Sequence, residues 1–118
     1  MQAAIFIEQS YERLLLMQGL QQMGIAVQAV ADTASLAASG VAASVDLVVL
    51  ALTADQLQAA VQQIRCHTRV PLLVIAEVKT EAERRALYAA GVEWVFVRPY
   101  SLCLLLLQAG MLIYSLAG

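Results

Sequence analysis

Apolar and polar positions fall in blocks along the chain. Short, nearly continuous apolar runs are separated by longer stretches in which apolar residues recur at helical spacing. An unbroken short run suits a strand buried on both faces, and recurrence at three and four residues suits one face of a helix. Ala3 to Ile7 reads as a first strand and Ile25 to Val30 as a second. Asp46 to Leu52 is a third, continuously apolar after Asp46. Val70 to Ala76 is a fourth, with Pro71 tolerable near its start because proline has no N–H for the ladder. Val92 to Val97 is a fifth. Between them, Ser10 is a candidate cap for a helix carrying Tyr11, Leu14, Leu15, Leu20 and Met23, and Gly24 supplies its left-handed exit. Asp32 opens a short alanine-rich helix closed by Gly40. Thr53 with Gln56, and Thr80 with Glu83, form capping-box patterns. The first opens a helix to about Cys66; the second opens one that Gly91 stops. Arg98-Pro99 breaks the fifth strand, and a last helix runs from Ser101 to near the end.

Five strands thus alternate with five helices, and each crossover is long enough to bring the chain back parallel to its start. The pattern predicts a single α/β domain over residues 1–118, an open, doubly wound parallel sheet with helices on both faces. In such sheets ligands and chemistry sit at the carboxyl ends of the strands, beside the topological switch point. The positions to inspect are Glu8 and Gln9, Ala51, Ala76 and Glu77, and Arg98.

Three segments carry a family resemblance. They are the strand Asp46-Leu47-Val48-Val49-Leu50, the proline-led strand Val70-Pro71-Leu72-Leu73-Val74-Ile75, and Ala89-Ala90-Gly91 followed by a strand ending in Arg98-Pro99-Tyr100. In this register the whole chain resembles the receiver domain of bacterial two-component response regulators. The resemblance implies a flavodoxin-like (βα)5 fold with strand order 2-1-3-4-5 and a role in signal transduction. It also implies a phosphorylation pocket at the strand ends, and there the chain departs from the family. The acid pair that holds Mg²⁺ corresponds to Glu8-Gln9, a poorer site for a hard cation that favours anionic oxygen ligands. The phosphoacceptor aspartate corresponds to Ala51, the hydroxyl residue of the fourth strand to Ala76, the phosphate-pairing lysine to Arg98 and the switch aromatic to Val95. The nearest downstream acid, Asp55, reads as the first turn of a helix. Phosphoryl transfer needs nucleophile, metal and oriented donors together. The resemblance therefore implies a degenerate member, a pseudo-receiver, with no enzymatic activity, no cofactor and no bound metal. It further implies a cis bond before Pro99. For Arg98 itself, an ion pair with Glu8 or Glu77 is the plainer reading.

Composition narrows the partners. The chain is 61% hydrophobic and 14% charged, with net charge −2. Its Lys and Arg are scattered, which argues against a nucleic-acid footprint. Cys66 and Cys103 form no disulfide framework or metal spacing, and the amino terminus lacks a basic, cleavable apolar leader, so a cytoplasmic setting is expected. His67, the only histidine, has no matched ligand near it in sequence and reads as a helix-end residue. A second function class, a flavodoxin-like flavin or nucleotide binder, needs a Gly- or Ser/Thr-rich phosphate loop. The first strand leads instead into Glu8-Gln9-Ser10-Tyr11.

The last helix draws attention because it carries no charge. Leu102, Leu105, Leu106, Ala109, Ile113 and Leu116 share one face, which can cover the sheet. Cys103, Leu104, Leu107, Met111 and Tyr114 fall on the flank or opposite side, where a surface helix is ordinarily polar. With Tyr100 these residues are expected to form an interface, either a homodimer or a contact with another protein or domain. The face expected to carry it combines the fourth helix, fifth strand and fifth helix. A membrane segment is the lesser alternative, since the run is short of the roughly 20 residues of a span. The apolar ending, Leu116-Ala117-Gly118, leads us to expect a longer protein, with an output domain to follow.

Overall fold

The structure is a computed structural model that describes residues 2–30, 45–51, 54–67, 69–76, 80–97 and 100–117. Among the described residues nine elements follow in order: β1 (Gln2–Ile7), α1 (Ser10–Gln22), β2 (Ala26–Ala29), β3 (Leu47–Ala51), α2 (Ala54–His67), β4 (Leu72–Ala76), α3 (Glu81–Ala89), β5 (Trp94–Val97) and α4 (Leu102–Ala117). The strands form one parallel sheet in the order β2-β1-β3-β4-β5, the expected flavodoxin-like (βα)5 order. The helix expected over Asp32 to Gly40 lies outside the described residues.

β3 and β4 are buried along their whole length, which explains their unbroken aliphatic composition. Successive residues feed opposite faces. Ile5, Leu47, Val49, Leu73 and Ile75 pack beneath α1 and α4, against Leu16, Leu20, Leu105, Ala109 and Ile113. Ala4, Val48, Leu50, Leu72 and Val74 pack on the other face against Leu57, Val61, Ile64 and Leu87. Two apolar layers therefore enclose the sheet and hold its strand ends in place.

Local signals set most element ends. Thr80 Oγ1 accepts from the Glu83 N–H at 3.2 Å, the expected cap of α3. Gly24 and Gly91 sit at φ +83° and +111° after α1 and α3, where a side chain would be strained. Three expectations need correction. Ser10 is the first helical residue rather than the cap, and Gln9 at the cap position makes no side-chain cap bond. The strands β2, β4 and β5 are each shorter at their start than the apolar runs, because Ile25, Val70 and Val92 are buried in the turns that lead in. On α1, Leu16 and Leu20 face the core, while Tyr11 and Leu14 are exposed. Two positions such as 14 and 16, ~200° apart on a helix, cannot share a face.

Candidate functional site

The register brings Ile7 of β1, Ala51 of β3 and Ile75 of β4 side by side at the carboxyl end of the sheet, with Ala76 next to Val97 of β5. Ile7, Ala51 and Ala76 are 2%, 4% and 0% exposed. Among the described residues, the ends of β1, β3 and β4 therefore carry aliphatic groups at the place where this sheet class does its chemistry. A methyl group at Ala51 offers neither a lone pair nor a proton. Glu8 and Gln9 follow β1 as exposed residues. Asp55 lies in the first turn of α2, as expected. Glu77, Arg98 and Pro99 lie outside the described residues, and with them the expected Arg98 ion pair and the bond before Pro99.

The metal implied by the family does not fit these residues. Glu8 supplies one carboxylate and Gln9 a neutral amide, and Ala51 supplies nothing. Among the described residues no three His, Cys, Asp or Glu side chains gather where they could hold an ion. A residue the sequence did not single out stands here instead. Arg13, on the second turn of α1, turns back and donates from Nη1 to the Ile7 carbonyl at 3.3 Å. Its spacing from the end of β1 was the available signal, but spacing alone does not say which way a long side chain turns.

Val95 is the residue expected at the switch-aromatic position. It is 3% exposed within the core of the α2/α3 face, and its N–H donates to Tyr88 Oη at 3.1 Å. A buried, β-branched valine has one strongly preferred rotamer, unlike an aromatic ring that can swing outward.

The last helix is apolar on both sides. Leu105, Ala109 and Ile113 are buried against the sheet, whereas Leu104, Leu107 and Met111 are 59%, 59% and 57% exposed. Tyr114 is half exposed and donates from Oη to the Met23 carbonyl at 3.0 Å. Cys103 is exposed. Tyr100 does not belong with this group. It is part-buried, packs at 6.1 Å from the Phe96 ring and donates from Oη to Glu12 Oε2 at 2.9 Å. Its polar tip finds a carboxylate on α1, which draws the ring inward.

A shallow hollow lined by Gln2, Ala3, Ala26, Val27, Gln28 and Val45 lies at the amino ends of β1 and β2. That is the end of the sheet opposite to the ligand-binding one. No helix among the described residues is long and apolar enough to cross a membrane.

No protein-family model matches the chain, and no curated protein matches it. Solved structures do. A two-component response regulator from Clostridium difficile superposes with a TM-score of 0.86 at 14% identity, covering 99% of this chain and 98% of that one. A Francisella response-regulator receiver domain gives 0.85 at 11% identity, with 98% of each chain covered. The fold is that of a receiver domain. An orphan response regulator of H. pylori shares it as well, with a TM-score of 0.82 at 17% identity over 96% of each chain. Against the receiver fold, the correspondence of Ala51 with the carboxyl end of β3 follows from the observed strand order and register.

Proposed function

We propose that this chain is a two-component-type signalling module, a degenerate receiver that works by binding protein rather than by accepting phosphate. The observation that carries this reading is Ala51. It ends β3, is almost wholly buried and is flanked in register by Ile7 and Ile75. A phosphoaspartate forms only where a carboxylate oxygen can attack in line beside a cation. Neither a side-chain oxygen at this position nor a second acid beside Glu8 is present. The domain is thus non-enzymatic, and its contact surface is the face that includes the exposed side of α4. A cytoplasmic setting belongs to the same proposal, in keeping with two free, exposed cysteines.

The test is incubation with acetyl phosphate and MgCl₂, followed by intact-mass measurement. The expected spectrum shows unmodified protein alone. A stoichiometric, hydroxylamine-labile phosphoryl adduct overturns the proposal.

A further inference from the structure

We propose that Tyr88 is a latch that pins α3 to the edge strand β5 and holds the two in one arrangement. The reading given above enters only through the consequence, which is that the α3–β5 part of the contact face is preset rather than switched.

Among the described residues β5 is the last strand of the sheet and pairs with β4 alone. A strand in that position has a row of N–H and C=O groups with no neighbouring strand to take them. At Val95 a side chain takes the place of that strand. The Val95 N–H donates to Tyr88 Oη at 3.1 Å, from a helix seven residues earlier in the chain. Val95 is buried, and the Tyr88 ring packs against the same apolar cluster. A backbone donor on a buried residue needs a partner, and the phenol oxygen supplies it.

The ring is held in place from its own helix. Arg84, one turn earlier, sets its guanidinium carbon 5.9 Å from the ring centroid, a cation–π pair at i, i+4 spacing. The turn between α3 and β5 is fixed as well. The Gly91 N–H donates to the Tyr88 carbonyl at 3.1 Å and the Val92 N–H to the Leu87 carbonyl at 3.3 Å. The Gly91 carbonyl in turn accepts from Arg65 Nε and Nη2. Backbone bonds thus anchor the end of α3 to the lead-in of β5, and the Tyr88 hydroxyl adds a second anchor further along the strand. One anchor leaves a hinge; two remove it. α3 cannot tilt or slide over β5 without breaking the bond from Val95 to Tyr88.

Residue-resolved amide exchange and relaxation dispersion by NMR on the 118-residue chain test this. Tyr88→Phe removes the hydroxyl and keeps the ring, its packing and its contact with Arg84. One ordinary hydrogen bond changes an opening equilibrium about fivefold. The Val95 amide should therefore exchange about fivefold faster relative to that of Val49 in the central strand β3. Dispersion should be flat over α3 and β5 in the wild type and appear in both elements of Tyr88→Phe, because the helix is then free to move. Tyr100→Phe, which removes the phenol bond to Glu12 on α1, should leave the ratio of Val95 to Val49 as it was. A general loss of stability speeds both amides by one factor and leaves dispersion flat. That outcome overturns the proposal, as does an unchanged ratio in Tyr88→Phe or an equal effect of Tyr100→Phe. A phosphoryl adduct in the phosphodonor test would leave the latch standing, and a failed latch would leave Ala51 without a nucleophile, so the two readings fail separately.

Discussion

Arg65 joins separate parts of the molecule. From α2 it donates through Nε and Nη2 to the Gly91 carbonyl at 3.1 and 2.6 Å, and through Nη1 to the Val70 carbonyl at 2.5 Å. One guanidinium thus ties α2 to the turns leading into β4 and β5. Burial lowers its pKa from the usual value, and Glu93, 3.6 Å away and half exposed, opposes that shift. The ion pair itself is worth little at such exposure, so the carbonyl bonds carry the role. They need the flat fork of arginine, which a single ammonium cannot reproduce. Arg65→Lys should cost about 1–3 kcal/mol, seen as a lower urea midpoint at unchanged slope. An unchanged midpoint would show that the fork is dispensable. Nothing in the local sequence marks Arg65, because Gly91, which takes two of its three carbonyl bonds, is 26 residues away. Ala51 is the opposite case. That its methyl group offers no nucleophile was legible as soon as the third strand was placed, since residue identity needs no tertiary partner.

Between elements, the seam of α1 and α4 shows two close approaches that differ in kind. A Cβ on Gly19 would lie 2.6 Å from Leu106 Cδ1 and 2.9 Å from its Cδ2. The whole isobutyl group would have to move while wedged between helices. A Cβ on Gly110 would meet only Met23 Cε, at 2.7 Å, the free end of a flexible chain that can turn away. Alanine gains about 1 kcal/mol over glycine in a helix interior, and overpacking costs typically 1–3 kcal/mol. Gly110→Ala should therefore hold or raise Tm, and Gly19→Ala should lower it. Equal effects in thermal melts would contradict the difference in packing. Helical periodicity located both helices and the buried face of α4. It did not show which side chains of α1 turn inward, because Leu14, Leu15 and Leu16 are chemically alike and only the sheet beneath selects Leu16.

For the whole molecule, the expected consequence of a single acid at Glu8-Gln9 and a methyl group at Ala51 is indifference to magnesium. A receiver with a full acid cluster gains stability when the ion binds. Saturation a hundredfold above Kd adds about 2.7 kcal/mol, which is several degrees in Tm for a domain of this size. Here millimolar MgCl₂ should leave the Tm unchanged by differential scanning fluorimetry. A rise of several degrees would reveal a cation site that Glu8 and Gln9 do not explain.

By itself the sequence determined the alternation of strand and helix, the glycine exits at Gly24 and Gly91, and the side-chain chemistry available at Ala51. These depend on short-range sterics, on periodicity and on residue identity, all of which are local. Tertiary structure decided the rest. It set the strand register that aligns Ala51 with Ile7 and Ile75. It turned Tyr100 inward onto Glu12, 88 residues away. It left Leu104, Leu107 and Met111 uncovered. The physical reason is that burial and long-range hydrogen bonding belong to pairs of distant residues, and a side chain acquires its neighbours only when the sheet brings those pairs together.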